Sequence, residues 1–305
     1  MAKALPATFK IPRQPEFPDV TFLRINKGKL PEQFEVTITP YDTMRWARLH
    51  DDAHPWYRGD SPWGGPAAMP WIMYFSSMNL LGHEFGRERH LPSEVGGGGF
   101  ARYRAEFLAP IPVGSVVTVG GEVTDKYSRR GRGYIQWRLD ASIDGRLVQQ
   151  HWKDWAFPAS LEDLENWPER VSDPHPPEVP ALATLEPIRM KMTIDRTIEF
   201  EGPIPLNNHN DLAAARAAGR PAPLVQGELT FGLLCRVLRD HFGAGFVVGG
   251  TIDVRFIQPV YVNQTITAHA EVLSSQADRA FCRVWAENED GGRVVTGTAS
   301  AKLSP

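Results

Sequence analysis

Two cysteines in 305 residues, Cys235 and Cys282, are too few for a disulfide framework. Both lie among apolar neighbours, in FGLLCRVL and RAFCRVW, with no partner at metal-ligand spacing, so they read as buried free thiols. A basic excess is missing as well. With 33 Lys and Arg against 36 Asp and Glu the net charge is −3, which leaves nothing to screen a phosphate backbone, and nucleic acid is not expected as a partner. No stretch approaches the roughly 20 apolar residues needed to cross a bilayer. The opening MAKALPATFKIPRQPEF lacks the apolar core of a signal peptide. The expectation is a soluble, cytoplasmic protein with no membrane partner. What is present, 42% hydrophobic against 23% charged residues, suffices for a packed core, and the length allows two domains.

The chain carries the same layout twice. AEFLAPIPV at 105–113 runs into GSVVTVGGEV, and DVRFIQPVYV at 253–262 runs into NQTITAHAEV. Each is an apolar strand with an aromatic two or three residues before a proline, a turn, and an alternating strand. A hairpin follows in both halves, turned by Asp144-Gly145 in one and Asp290-Gly291-Gly292 in the other. Upstream of each strand run lies a helical segment that is apolar nearly all round, AAMPWIMYFSSMNLLGHEFG and LVQGELTFGLLCRVLRDHFG. Such a helix must be wrapped, and a curved antiparallel sheet is the natural wrapper. The fold class expected is α+β, a double hot-dog in which each of two curved sheets encloses a central helix. Residues 1–160 form the first domain and 188–305 the second. The Pro-rich, acidic stretch 161–187 between them reads as a surface linker.

With His209, Asp211 and Gly219 in the second half and Asp52 and Pro55 in the first, the chain apart from about its first 30 residues and the linker resembles the MaoC-like family of double hot-dog enoyl-CoA hydratases and dehydratases, whose signature is Asp-x-Asn-Pro-x-His. His209, Asp211, Ala213 and Gly219 keep step with that pattern, and Pro223-Leu224-Val225-Gln226-Gly227-Glu228-Leu229-Thr230 matches the start of the family's central helix. The family's Asp and Asn fall on Ile204 and Leu206, so neither side chain is present. The first half keeps the other member of the dyad: Asp52-Ala53-His54-Pro55-Trp56-Tyr57 has the Asp and the Pro, with Tyr57 where the family has His. The helix before the second signature is expected to be shortened.

Hydration of an enoyl thioester builds negative charge on the thioester oxygen, and donors placed there in advance dominate such sites. The resemblance implies that a backbone N–H at the start of the central helix does this, where unpaired N–H groups and the dipole favour an anion. Gly227 has that N–H and permits close approach, whereas the aligned Pro70 has none. The first-half site is therefore expected to be inactive. His209 is the leading catalytic candidate, since imidazole titrates near neutrality; the competing reading is a histidine that serves a turn. Asn207 and Asn208 are candidates to orient water or bind the carbonyl, against the usual turn role of Asn in such loops. Gln226 and Asp211 are substrate-binding candidates, although Asp211 fits better as the cap of a short helix at 212–218. Asp52, His54 and Tyr57 are substrate-binding candidates, expected to wall the acyl pocket or support the interface rather than to catalyse.

His50, Asp51, Asp52 and His54 cannot all converge on one ion from a helix end, so no metal is expected. Thr39-Pro40-Tyr41-Asp42 is a helix start with a capping-box Asp, and that helix should run to about His50. The basic turn from Lys126 to Arg132 reads as an exposed hairpin tip, with phosphate contact as the alternative. Gly96 to Gly99 precede a strand and so are not a phosphate loop. Trp56, Trp63, Trp71, Met73 and Phe75 read as core or pocket wall. The functional expectation is a lyase that adds water to, or removes it from, an acyl-CoA-type thioester, using no cofactor and assembling as a homo-oligomer. The alternatives are an acyl thioesterase and a non-catalytic acyl-binding or partner subunit.

Overall fold

A computed structural model of the chain describes residues 27–29, 33–74, 99–158, 167–171, 179–201 and 206–303. The first-half helical segment beyond Tyr74, Phe75, Gly96 to Gly98 and Ile204 lie outside the described residues.

The first half opens with strands β1 (Gly28–Lys29) and β2 (Phe34–Thr37) and helix α1 (Pro40–Leu49). The start of α1 is set as the sequence predicts. Thr39 accepts from the Asp42 N–H at 3.0 Å, and the Asp42 carboxylate accepts in return from the Thr39 backbone. Two one-turn 3-10 helices follow, Pro55–Tyr57 and Pro70–Met73, then strands β3 (Gly99–Phe107), β4 (Val116–Arg129), β5 (Arg132–Ile143) and β6 (Arg146–Pro158). The β5–β6 hairpin closes through Asp144 at φ 50° and Gly145 at φ 76°, the left-handed pair that a two-residue hairpin turn requires.

The second half repeats the order: β7 (Ala183–Thr184), β8 (Ile188–Lys191), α2 (Ile194–Glu201), α3 (Leu212–Ala217), α4 (Gly227–Phe242), the short α5 (Ala244–Val247), and strands β9 (Thr251–Phe256), β10 (Thr265–Gln276), β11 (Arg279–Glu287) and β12 (Arg293–Lys302). Helix α2 is described over eight residues, up to the last described residue before 206. Helix α4 is buried on nearly every side and stops at Gly243, whose φ of 54° ends the helical path.

All named strands join one antiparallel sheet in the order β1-β4-β5-β6-β3-β9-β12-β11-β10-β7, with β2 and β8 pairing along β4 and β10. Read from the centre outward, each half uses its strands in the same order. The junction is the β3–β9 ladder, and its register reveals a pseudo-twofold axis. With Pro110 set against Pro259 the repeat equates Arg104 with Asp253, and those two residues are partners in the ladder. Tyr74, likewise equivalent to Phe231, touches it with ring centroids 5.1 Å apart. A residue meets its own counterpart only beside a twofold axis. Helices α1 and α2 obey the same symmetry: Arg196 donates to the Leu49 carbonyl at 2.8 Å, and Arg45 donates to the Phe200 carbonyl at 2.8 Å. Each helix thus has its C-terminal carbonyls capped by an arginine of the other.

The segment expected as linker does more than cross the surface. Ala183–Thr184 pair with β10 as β7, and residues 167–171 lie along the end of β4, where the Arg170 N–H donates to the Ser128 carbonyl at 2.9 Å. Lys126 of the basic turn sits 4.7 Å over the Trp167 ring. Trp71 and Met73 are fully buried, while Trp56 and Trp63 pack edge to face at 5.1 Å. Cys235 and Cys282 are buried and free. No described helix is long and apolar enough to cross a membrane.

Candidate active site

The loop before α3 is laced by its own asparagines. The Asn207 N–H donates to Asn210 Oδ1 at 2.7 Å, and Asn207 Oδ1 accepts the His209 N–H at 2.7 Å. Asp211 caps α3, its Oδ1 accepting the Ala214 N–H at 2.7 Å. Two bonds then fasten this loop to the segment leading into α4. The Leu224 N–H donates to the Asn208 carbonyl at 2.8 Å, and His209 Nδ1 lies 2.8 Å from the Leu224 carbonyl. A carbonyl only accepts, so Nδ1 carries the proton and Nε2 presents the basic lone pair. The half-buried His209 is thereby held against Leu224, three residues upstream of Gly227.

Gly227 is the first residue of α4, and its N–H makes no hydrogen bond among the described residues. A side chain here would meet the Phe256 ring, since an added Cβ would stand 2.9 Å from its Cε1. Gln226, a substrate-binding candidate, is buried and donates from Nε2 to the Thr197 carbonyl of α2 at 3.3 Å. The Asn207 amide is taken up by the turn. Asn208 keeps its side chain out of any hydrogen bond among the described residues.

The first-half counterpart has the same backbone and different chemistry. The Ala67 N–H donates to the Trp56 carbonyl at 2.8 Å, as Leu224 does to Asn208, and Ala68 bonds Ile111 as Val225 bonds Val260. There Pro70 opens the helical turn without an N–H. Asp52, His54 and Tyr57, expected to wall a pocket or support the interface, are drawn into contacts within the protein, Asp52 and Tyr57 with a residue of the other half. Arg239 reaches in from α4, donating to Asp52 Oδ2 at 2.8 Å, to Asp52 Oδ1 at 3.1 Å and to the Tyr57 hydroxyl, while Tyr57 itself donates to Asp52. His54 Nδ1 accepts the Trp56 N–H at 3.4 Å, and the His54 N–H donates to Asp52. Burial opposes the Asp52 charge, but the hydrogen bonds and charge of Arg239 outweigh it and hold the carboxyl below its ordinary range. Burial drives the Tyr57 phenol well above its usual value, so it stays protonated. What would be a dyad is thus closed by a buried ion pair.

A polar cluster that sequence reading missed lies on the inner face of β6. Gln149, His151 and Lys153 point inward, each about 1% exposed. His151 Nδ1 lies 2.8 Å from the Tyr103 hydroxyl, and Nε2 lies 2.9 Å from Gln149 Oε1. Burial lowers its pKa to about 3, so it is neutral, accepting from Tyr103 and donating to Gln149. Lys153 Nζ lies 3.3 Å from the Phe100 ring centre, with Tyr74, Trp155 and Trp137 also around it, and 3.9 Å from Glu228 Oε1 on the first turn of α4. Burial pushes the Lys153 ammonium well below its ordinary range, and the Glu228 carboxylate pulls it back. The signal in the sequence is QQHWK at 149–153, where an inward strand face reads Gln, His, Lys instead of apolar residues.

Residues 205–289 match the MaoC like domain family. No curated protein matches the sequence. Among solved structures, a MaoC-like dehydratase is 16% identical with a TM-score of 0.71, covering 91% of this chain and 98% of that one. A MaoC-like dehydratase from Phytophthora capsici is 16% identical with a TM-score of 0.69, covering 92% and 96%. A Mycobacterium tuberculosis protein with a double hot-dog fold is 16% identical with a TM-score of 0.57, covering 89% and 95%. Identities this low establish the fold alone, and the fold is the double hot-dog that the repeat predicts.

Proposed function

From a chain whose residues 205–289 are a MaoC-like domain within a double hot-dog fold, we propose a hydro-lyase that adds water across, or removes it from, an enoyl group carried as a CoA-type thioester. The reading divides the chain into an inactive first domain (1–160), a linker (161–187) and a catalytic second domain (188–305). One observation carries it: His209 is fixed with Nε2 as the base by the carbonyl of Leu224, three residues before a helix whose leading Gly227 N–H is unpaired among the described residues.

In the hydration direction His209 Nε2 takes a proton from water as the water oxygen bonds to Cβ. The C=C electron pair moves onto the thioester oxygen, where the Gly227 N–H and the α4 dipole hold the enolate. The imidazolium returns its proton to Cα, so that H and OH have been added and the histidine is restored. Asn208 is available to orient the water. The first-half position lacks both parts, having Pro70 in place of the donor and an Arg239-bound tyrosine in place of the base.

The test is incubation with crotonyl-CoA and longer enoyl-CoAs, with enoyl absorbance and free thiol followed separately. Absorbance loss without thiol release is expected, and His209→Ala should lower kcat by about 100-fold or more. Thiol release would assign a thioesterase instead.

A further inference from the structure

We propose that Phe100 and Trp155 of the first half are the specificity-determining residues of the second-half site, and that they select a thioester with a flat aryl group on Cβ over one with a long straight chain. The inference deepens the hydration reading and rests on it, since it takes the Gly227 N–H as the place of the thioester oxygen.

The carrier of a thioester must leave toward solvent, so the acyl group runs inward from Gly227 along the sheet. Gly227 is backed by Phe256, whose Cε1 stands 2.9 Å from where a Cβ on the glycine would be. From there the aromatic wall passes into the first half. The Phe256 and Phe100 ring centres are 6.0 Å apart, and Phe100 lies 4.7 Å from Trp155. Phe100 and Trp155 each keep part of their surface open. The layer behind them does not: Tyr74, Tyr103 and Phe231 are fully buried, and Trp137 nearly so. Phe100 has no room to swing aside, with Lys153 Nζ 3.3 Å from its centre and the Tyr74 ring at 5.9 Å. A long straight chain therefore meets a closed layer, whereas an aryl group on Cβ stops in front of it. The planes of Phe256 and Phe100 are inclined by 44°, and those of Phe100 and Trp155 by 60°. Rings tilted in this way offer a further ring the edge-to-face contacts that aromatic groups prefer.

The pseudo-twofold axis shows that the pair is not demanded by the fold. Setting Pro110 against Pro259 equates Phe256 with Phe107 and Phe100 with Gly249. Phe107 does run beside that glycine, since the Gly249 N–H donates to the Phe107 carbonyl at 2.7 Å and the Phe107 N–H donates to the Gly250 carbonyl at 2.9 Å. The β3–β6 and β9–β12 ladders pair Tyr103 with Lys153 and Ile252 with Ala299, so Trp155, two residues on, is equivalent to Ala301. Where the second-half face has glycine and alanine, the first-half face has two rings. Those rings join the helix start that has an N–H to offer a substrate, and their counterparts belong to the side of Pro70, which has none.

An aryl group on Cβ conjugates with the C=C bond and favours the dehydrated form, so the test runs in that direction. Removal of water reverses the step given above: His209 takes the Cα proton and returns it to the departing Cβ hydroxyl. Dehydration of 3-hydroxy-3-phenylpropionyl-CoA and of 3-hydroxyoctanoyl-CoA by the full chain is followed by enoyl absorbance, beside hydration of crotonyl-CoA. The kcat/KM of the aryl substrate should exceed that of the octanoyl one by about tenfold or more. Phe100→Leu and Trp155→Leu keep an apolar side chain and take away the ring, and each should lower that ratio by about fivefold or more. A loss of folded protein lowers both substrates alike and leaves the ratio where it was. Should one variant fail to fold, the other reads the same ratio, and the wild-type ratio needs neither. A wild-type ratio below about threefold overturns the proposal, as does a ratio unmoved in a folded Phe100→Leu or Trp155→Leu. If crotonyl-CoA is hydrated in either case, the hydration reading stands and this one falls; no turnover of any of the three substrates overturns both.

Discussion

At the scale of single residues, the buried ionisable groups decide how the protein answers to substitution and to pH. Asp52 and Arg239 are 6% and 1% exposed, and each is the other's counter-charge. Asp52→Ala leaves the buried guanidinium with Asp240 as its remaining carboxylate and should cost about 2–3 kcal/mol, read as a lowered urea midpoint. Pairing it with Arg239→Met should cost less than the sum of the single changes, because the two side chains share one buried ion pair. His50 and His151 are fully buried, and burial lowers their pKa values to about 4 and about 3. The unfolded chain binds protons at these rings near pH 6.5 and the folded chain does not, so stability rises with pH between the two values and is lost on acidification. Each ring should cost about 2 kcal/mol at pH 5. The urea midpoint should therefore fall between pH 7 and pH 5, and a His50→Asn variant should lose about half of the histidine share of that fall. Asp52 is shifted in the same direction, held low by Arg239, and its contribution disappears only as pH drops below about 4. Of these groups the sequence marked Asp52, His54 and Tyr57 as a cluster. It carried no trace of Arg239, which lies 187 positions from Asp52 in the chain.

At the scale of elements, local chemistry was legible wherever neighbours in sequence are neighbours in space. The capping box of α1, the Asp144-Gly145 turn and the extent of α4 each follow from a few adjacent residues whose backbone groups need partners or special φ values. The alignment of Pro70 with Gly227 was legible too, and the matched bonds Ala68 to Ile111 and Val225 to Val260 bear it out. It makes a direct test of the helix-start argument. Gly227→Pro removes the N–H at a position where proline suits the first turn of a helix. Its ring carbons would press on Phe256, so it should be made together with Phe256→Leu. Phe256→Leu alone should hydrate crotonyl-CoA nearly as the wild type does, whereas the double variant should lose about 100-fold or more in kcat, measured by enoyl absorbance. Equal activity in the two would remove Gly227 from the mechanism.

At the scale of the whole molecule, the β3–β9 ladder makes one sheet of two halves. A second half made alone, as residues 179–303, would leave one edge of β9 unpaired over Thr251–Arg255 and α4 without the first-half strands it packs on. Such an edge recruits another chain. Sedimentation of that fragment should show a dimer or larger species, and a folded monomer would mean that the junction contributes little. By itself the amino-acid sequence determined the repeat, the hairpins, the helix caps and the contrast between a glycine and a proline at two helix starts. These depend on periodicity and on backbone groups only a few residues apart. Only the tertiary structure decided that the first-half dyad is closed by an arginine from the second half, and that Lys153 of one half faces Glu228 of the other. Those pairs form because a pseudo-twofold axis brings α4 across the first-half strands, and a long-range contact of that kind leaves no periodic mark on the chain.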